Sequence, residues 1–372
     1  MSSRRGRPFS VPVEHRSIPA RDQPLPWSDV ATPTLHLSRE QILAHRRRVT
    51  ALDHRLAPGA ESLHRAAWAG LSDSAPRAAL LSIHARVEST WPRAWEHESL
   101  VQLWGPRFSV YVVAAVDRAV FTLGRTSEGS RHWQLGEDIA DRLEAALGSD
   151  RALVPEAARA AGLGHHNALR YAAPTGRLLV RWDGARTPHV WVVPRPEMTP
   201  MDARLELARR FLTVYGAGDE KAYGAWAGIR TRPASATFEA LRSELTPVTT
   251  PGGRRAWILA EHEGALREPS SDPAPARLLP GGDTYYLLQG ADRELLVPEA
   301  DHRSLLWPTR VWPGALLVDG EVVGVWRRAQ HVVTAQAWTK LSAAQHAAVE
   351  AEATALPLPG LDRDILLRWE DL

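Results

Sequence analysis

Residues 152–194 read ALVPEAARAAGLGHHNALRYAAPTGRLLVRWDGARTPHVWVVP, and their pattern decides the predicted fold. Alanine and leucine recur at helical spacing over residues 154–162, and the run ends at a glycine, which adopts a helix-ending left-handed conformation without strain. A second short helix is predicted over residues 167–173. Two β-rich runs, 178–182 and 189–193, follow and are joined by an Asp-Gly turn typical of a hairpin. This order of helix, turn, helix and hairpin is that of a winged helix, whose second helix can enter the DNA major groove.

The predicted second helix and wing carry polar side chains suited to DNA contact. They are His165, His166, Asn167 and Arg170 on the helix and Arg186 at the tip of the wing. The alternative is that this unit only packs against its neighbours, because helix-turn-helix units also occur without any role in DNA binding.

Composition places the chain among multidomain globular proteins. Of its 372 residues, 44% are hydrophobic and 24% charged, and a length of roughly 100–200 residues per domain predicts several domains. The absence of cysteine excludes disulfides and cysteine-based zinc or thiol chemistry. No apolar run approaches the ~18 residues of a membrane span, and no signal peptide is found. We therefore expect a cytoplasmic, nucleoid-associated protein without a membrane partner.

Charge is distributed unevenly along the chain. Residues 1–262 contain 35 basic and 27 acidic side chains, whereas residues 263–372 contain 10 basic and 16 acidic ones. A basic N-terminal part suits a polyanion, and the acidic C-terminal part is not expected to contact DNA broadly. The expected partner is double-stranded DNA.

Helices followed by paired strands occur three times, and the predicted fold class is α+β. Residues 246–259 form the third hairpin, in which a Pro-Gly-Gly turn precedes Arg254 and Arg255. We expect both arginines to contact phosphate rather than base edges, because wing tips commonly lie on the backbone. The predicted order is a disordered basic tail (1–33), three tandem winged helices (34–126, 127–197 and 198–268), a linker (269–280) and a small antiparallel β-barrel with a closing helix (281–372).

Several local patterns make this order testable. Ser38 and Gln41 have the spacing of a capping box at the start of the first helix. Residues 121–123, 285–288 and 295–297 are predicted strands, and Asp319-Gly320 is a hairpin signal between strands. A closing helix is predicted over residues 342–356.

Four stretches carry a resemblance to known proteins: AGLSDSAPRAALLSIHAR (69–86), LVQLWGPRFSVYVV (100–113), LLPGGDTYYLL (278–288) and LLVDGEVVGVWR (316–327). In this order they resemble the AlkZ/YcaQ family of bacterial winged-helix DNA glycosylases. The resemblance implies three tandem winged helices followed by a β-barrel, and an enzyme that removes alkylated purines or unhooks interstrand crosslinks.

Both polar motifs of that family are altered here. The first is Gln, an aliphatic residue, then Gln or Asp, before a Pro-Arg helix start. It falls on Ser72, Asp73 and Ser74, ahead of Arg77, so neither glutamine is present. The second motif, Arg-Gly-Thr-x-His, keeps its arginine and replaces threonine by serine and histidine by tyrosine; its positions are Arg107, Ser109 and Tyr111.

The resemblance implies a catalytic role for these residues and DNA contacts for Arg77 and Arg107. Asp73 is the one carboxylate of the first motif, and a carboxylate stabilises the positive charge that develops on the sugar. The serines could position water, and Tyr111 could donate a hydrogen bond. The alternative is that Asp73 and Ser74 merely cap the following helix.

Two functions remain open at this stage. The first is a monomeric DNA glycosylase without cofactor, and the second is a catalytically inactive winged-helix module that acts as a regulator or damage-recognition protein. No metal site is predicted, because the adjacent His165 and His166 cannot both face one ion from a helix.

Overall fold

The computed structural model describes residues 35–126, 129–184, 186–268, 274–288 and 290–370. The predicted tail (1–33) and residues 269–273 of the predicted linker lie outside this described part. Within it the chain forms a mixed α+β fold with four small sheets.

The first part packs helices against a three-stranded sheet with the order β2-β4-β3. The predicted capping box is confirmed, because the Ser38 hydroxyl accepts from the Gln41 N–H and the Gln41 side chain accepts from the Ser38 N–H. The elements are β1 (Leu35–His36), α1 (Arg39–Val49), α2 (Ala60–Ala66), β2 (Leu71–Ser72), α3 (Ala78–His84), β3 (Leu100–Trp104), β4 (Val110–Ala114) and α4 (Arg118–Thr122).

The second part follows the order predicted for residues 152–194, and its sheet has the order β5-β7-β6. The predicted second helix is a tighter 3-10 helix, His166–Thr175, which contains Pro174. Its apolar side packs with Ile139, Leu143 and Val190 in one core. The remaining elements are α5 (Arg131–Leu147), β5 (Ala152–Leu153), α6 (Val154–Ala160), β6 (Leu178–Arg181) and β7 (His189–Val192).

The third part contains the most aromatic of the cores. Phe211 packs with Tyr223 and Trp226 at ring-centre distances of 5.6 Å. Its sheet has the order β1-β8-β9, so the strand before α1 pairs with β8 in parallel, and Ile42 of α1 enters the same core. The elements are α7 (Pro200–Tyr215), α8 (Glu220–Ala227), α9 (Thr231–Ala240), β8 (Leu245–Thr249), β9 (Arg255–Leu259) and α10 (Glu263–Arg267).

The C-terminal part is a five-stranded sheet with the order β10-β11-β12-β13-β14. The sheet is mixed rather than purely antiparallel, because the chain crosses over through α13 and β14 then pairs with β13 in parallel. Its outer strands do not pair with each other in the described part, so it does not close into a barrel. The elements are β10 (Arg277–Leu279), α11 (Ala291–Leu296), α12 (Ala300–Leu306), β11 (Gly314–Val318), β12 (Glu321–Ala329), β13 (Val332–Ala337), α13 (Ala343–Thr354) and β14 (Leu366–Trp369).

Three short apolar runs predicted as strands are helical. Residues 121–123 lie at the end of α4 and in a following 3-10 turn, residues 295–297 overlap the end of α11, and residues 285–288 begin in a 3-10 turn. Short buried apolar runs carry no period that separates helix from strand. In the last case Asp283 accepts from the Tyr285 N–H and starts the turn.

Residues 280–288, here called the central segment, join the first, third and C-terminal parts. The Thr284 hydroxyl donates to the Gly70 carbonyl at 2.6 Å, and the Tyr215 hydroxyl of α7 donates to the Thr284 carbonyl at 2.8 Å. Asp283 accepts both terminal nitrogens of Arg86, at 2.7 and 2.8 Å, and the Ser82 hydroxyl at 2.6 Å. The Arg86 and Asp283 side chains are 2% and 0% exposed, so this ion pair is fully buried.

We expect the change Asp283→Ala to lower the free energy of unfolding by about 3–5 kcal/mol, because it leaves the Arg86 charge buried and unpaired. Chemical denaturation of the full chain measures this loss. Glu239→Ala is the control, because Glu239 forms a pair with Arg242 whose side chains are 55% and 42% exposed. Equal losses in the two variants would contradict a structural role for the buried pair.

Candidate active site

Four of the five predicted catalytic residues meet in one cleft. Ser72, Ser74, Ser109 and Tyr111 line a space of about 370 Å³, here called the serine cleft. The sheet brings the two motifs together, because β2 pairs with β4 and sets Ser72 directly opposite Tyr111. Arg107 lines the same cleft.

The opposite wall of the serine cleft comes from the C-terminal part of the chain. Gly281 and Gly282 of the central segment and residues 310–312 line it. Gly282 has a φ of +83°, and a Cβ atom there would lie 3.3 Å from the Ser72 hydroxyl. The left-handed backbone favours glycine here, and the approach to Ser72 leaves little space for a side chain. Because residues 263–372 are acidic overall, their place in the lining of this cleft was not predicted from the sequence.

Arg107 occupies a strained turn between β3 and β4. The Gly105 N–H donates to the Ser109 carbonyl at 2.8 Å and closes the turn, while Arg107 has a left-handed φ of 55°. The Arg107 guanidinium donates to the Ala225 carbonyl of α8 at 3.0 Å. The turn therefore holds Arg107 between the first and third parts of the fold. Burial raises the pKa of Tyr111, which keeps its phenol protonated and able to donate.

Asp73, the fifth predicted catalytic residue, does not line the serine cleft. Its side chain is buried, and the residue is 5% exposed. One carboxylate oxygen accepts from the Ala79 N–H at 3.0 Å, and the other accepts from the Gln102 side-chain amide at 2.5 Å. The first contact satisfies an N–H group in the first turn of α3, so the capping interpretation of Asp73 agrees with these contacts.

Gln102 is a site residue that sequence analysis missed. Its oxygen accepts from the Trp182 N–H at 2.8 Å, and its nitrogen donates to the Trp182 carbonyl at 3.0 Å as well as to Asp73. These contacts fix the orientation of the amide and connect the first part to the end of β6. A single polar residue in the apolar strand Leu100–Trp104 was the available signal.

The environment of Asp73 changes its acidity. Burial raises the pKa of Asp73 to about 6, although the hydrogen bonds from Ala79 and Gln102 and the charges of Arg77 and Arg181 act in the opposite direction. The carboxyl group is therefore mostly ionised at neutral pH and becomes neutral in mild acid. No ion pair of Asp73 is found among the described residues.

Arg77, a predicted DNA contact, also contacts the turn between β6 and β7. Arg77 donates to the Asp183 carbonyl at 2.6 Å, and a Cβ atom at Gly184 would lie 2.8 Å from Pro76. The Asp183-Gly184 turn therefore packs against Pro76, just before α3. Arg186, beyond this turn, is exposed.

The predicted recognition residues of the second part form an exposed group. The rings of His165 and His166 stack at 4.4 Å, and His165 accepts from the Asn167 N–H at 3.1 Å. The exposed Arg170 lies 5.7 Å from the Trp104 ring centre. None of these side chains lines the serine cleft.

The two arginines of the hairpin between β8 and β9 have different surroundings. Arg254 forms an ion pair with Asp292 of α11, so this guanidinium already has an acidic partner. Arg255 begins β9 and is exposed. Neither residue lines the serine cleft.

Among the described residues, no group of three or more histidine and acidic side chains is placed to hold a metal ion. None of the described helices has the length and apolar character that crossing a membrane requires.

Comparison with known proteins defines the class. The sequence profile of the family "DNA glycosylase AlkZ-like" matches residues 65–357, and the chain belongs to this family.

Particular relatives come from one organism, Streptomyces sahachiroi. The chain is 29% identical over 131 residues to its interstrand DNA cross-link repair glycosylase, a match that spans 34% of each protein. The solved structure of its DNA glycosylase AlkZ is similar with a TM-score of 0.73 and 20% identity, covering 90% of this chain and 100% of that one. The latter similarity confirms the mixed α+β fold.

We expect Asp73→Asn to lower the free energy of unfolding by about 1–3 kcal/mol at pH 7, because an unpaired buried donor results. The new amide nitrogen would face the fixed Gln102 nitrogen. Asp219→Asn is the matched control, since Asp219 caps α8 by accepting from the Ala222 N–H and Asn caps about equally well. Chemical denaturation compares the two variants, and equal stabilities would contradict the assigned Gln102 orientation.

The pKa of Asp73 also predicts a pH dependence of stability. Because its pKa rises on folding from 3.8 to about 6, the folded protein binds more protons than the unfolded chain between these values. The stability of the wild type relative to Asp73→Asn should therefore be greatest below pH 4 and fall by roughly 3 kcal/mol as the pH rises through 6. A difference that stays constant over this range, measured by denaturation, would show that Asp73 titrates normally.

Proposed function

We propose that this protein is a DNA glycosylase that excises alkylated purines, or unhooks crosslinked ones, from double-stranded DNA. The observation that carries the proposal is the serine cleft. It brings Ser72 and Ser74 of one family motif together with Arg107, Ser109 and Tyr111 of the other. Its volume of about 370 Å³ lies within the range of small-ligand sites.

The proposal includes a finer description of the architecture. The three helix-and-sheet parts are winged helices over residues 34–126, 127–197 and 198–268, and the C-terminal part follows them. Each of the first three contains helices followed by a two-stranded hairpin, which supports this description. The protein acts as a monomer on DNA in the nucleoid.

The reaction breaks the bond between the sugar and a positively charged purine. The bonding electrons leave with the base, which becomes neutral, and the sugar becomes an oxocarbenium-like cation. Water then adds to the sugar and loses a proton. The hydroxyl groups of Ser72, Ser74 and Ser109 line the cleft and position this water, while the protonated Tyr111 donates a hydrogen bond.

Asp73 acts as a positioning and electrostatic residue in this proposal. Its backbone N–H donates to the Val110 carbonyl at 2.8 Å, which holds the strand between Ser72 and Ser74 against β4. Its carboxylate lies buried beside these serines, where a negative charge acts more strongly on a developing cation than it would in water.

Two observations favour a second function. Asp73 does not line the serine cleft, and neither glutamine of the first family motif is present. A protein that binds damaged DNA without excision, as a regulator or recognition module, would have these features.

Formation of abasic sites distinguishes the two functions. Duplex DNA containing an alkylated purine or a crosslink is incubated with the full chain and then cleaved at abasic sites by alkali. We expect base release by the wild type. Binding of this DNA without any abasic site would favour the recognition module.

We expect Asp73→Asn to reduce excision roughly 100-fold, because it removes a preorganised negative charge buried behind the serines that line the cleft. The wild-type rate should rise with pH around the Asp73 pKa of about 6, and the variant should lack this rise. Measurements use conditions in which circular dichroism shows the variant folded, with Asp219→Asn as the control. An unchanged pH profile in Asp73→Asn would dismiss the electrostatic role.

A further inference from the structure

A second cleft, of about 670 Å³, lies beside the serine cleft, and six of its thirteen lining residues are basic. We call it the arginine cleft. No aspartate or glutamate is among its described lining residues, and Arg107 lines both clefts. The basic lining residues are Arg107, Arg125, His132, Arg204, Arg230 and Arg232.

The cations of the arginine cleft are not neutralised within the described part of the fold. Arg125 donates to the Trp104 carbonyl at 3.1 Å, but its buried Nε atom has no hydrogen-bond partner there. Arg204 donates to backbone carbonyls only. Arg230 and Arg232 are exposed, and no hydrogen bond or ion pair to another described residue involves their side chains.

This pattern differs from that of other arginines in the same part of the fold. Arg209 pairs with Glu244 at 2.7 Å, and Arg210 pairs with Asp117 at 2.7 Å. Burial without a carboxylate lowers the pKa of Arg125 to about 10, so its guanidinium is still charged at neutral pH. Several uncompensated positive charges therefore share one cleft.

The backbone adds to this positive field. The helix α9 begins at the cleft, with Arg230 at its N-cap position and no side chain capping its first N–H groups. Free N–H groups at a helix start favour an anion, and phosphate is one of the anions that bind there. The charge, the orphaned Nε atom of Arg125 and the helix start all favour the same ligand chemistry.

The position of the cleft is fixed relative to the candidate reaction site. Gly228 has a φ of +69°, and a Cβ atom there would lie 3.1 Å from the Arg107 backbone nitrogen. This close approach, together with the bond from Arg107 to the Ala225 carbonyl, locks α8 against the Arg107 turn. The two clefts are therefore neighbours on one rigid support.

We propose that the arginine cleft binds a backbone phosphate of the DNA strand whose damaged nucleotide occupies the serine cleft. The proposal rests on the proposed function, because it deepens the account of the same site. Guanidinium groups bind phosphate oxygens through paired, charge-assisted hydrogen bonds. Such a contact fixes the register of the strand, while the serine cleft receives the damaged nucleotide.

The test replaces single phosphates by neutral methylphosphonates along the lesion strand. Affinity for each duplex is measured by fluorescence anisotropy with the wild-type full chain and with the double variant Arg230→Gln/Arg232→Gln. At one phosphate near the lesion, we expect the replacement to weaken DNA binding by the wild type roughly tenfold. The same replacement should change DNA binding by the double variant little. The variant should also have a salt slope lower by about one per lost phosphate contact.

The control is Arg242→Gln, beyond the other end of α9, where Arg242 already pairs with Glu239. It should behave as the wild type at every methylphosphonate position. If each replacement weakens the wild type and the double variant equally, or if neither protein binds DNA, the phosphate site is overturned.

Two further outcomes separate this inference from related ideas. If one replacement weakens the wild type much more than the double variant, but no base is excised, the phosphate site is supported and the proposed enzyme is rejected. If inorganic phosphate stabilises the wild type against heat, but every replacement weakens both proteins equally, the proposal is overturned in favour of a free-phosphate site.

Discussion

The buried ion pair between Arg86 and Asp283 is the interaction on which the rest of the arrangement depends. It connects the central segment to the residues just after α3. The Ser82 hydroxyl donates a further hydrogen bond to the same carboxylate. Because two charges are removed from water together, the geometry has little freedom, and removal of either partner leaves an uncompensated charge. The pair consequently fixes the neighbouring Gly282 against Ser72 and so sets the width of the serine cleft.

Asp73 shows what happens to a carboxylate that is buried without such a partner. It accepts hydrogen bonds from a backbone N–H and from the Gln102 amide, and these offset only part of the desolvation. The charged form is thereby made less favourable in the fold, although it predominates at neutral pH. A single residue can thus cap the start of α3, hold the strand beside the serines and supply negative charge, because these roles use different atoms or different properties of the carboxylate.

Periodicity and capping signals were sufficient to predict α1, the hairpin of β11 and β12 and the order of elements in the second part. Periodicity failed for the central segment, where TYYLL has no helical or β period and its 3-10 turn depends on tertiary contacts to Gly70 and Arg86. For the site, the resemblance to the two family motifs predicted Ser72, Ser74, Ser109 and Tyr111. It could not reveal that Gln102 turns toward Asp73 or that Gly282 faces Ser72, because both depend on the packing of distant segments.

Net charge along the sequence is a poor guide to which arginines are available to DNA. Arg254 lies in the turn between β8 and β9, yet its guanidinium pairs with Asp292. A guanidinium that already has an acidic partner must lose it before it gains a phosphate, so its net contribution to binding is small. Arg230 and Arg232 have no such partner among the described residues, and they line the same cleft as Arg125, whose buried Nε atom also has none. The distribution of carboxylates, more than the distribution of arginines, therefore selects the surface on which a phosphate is favoured.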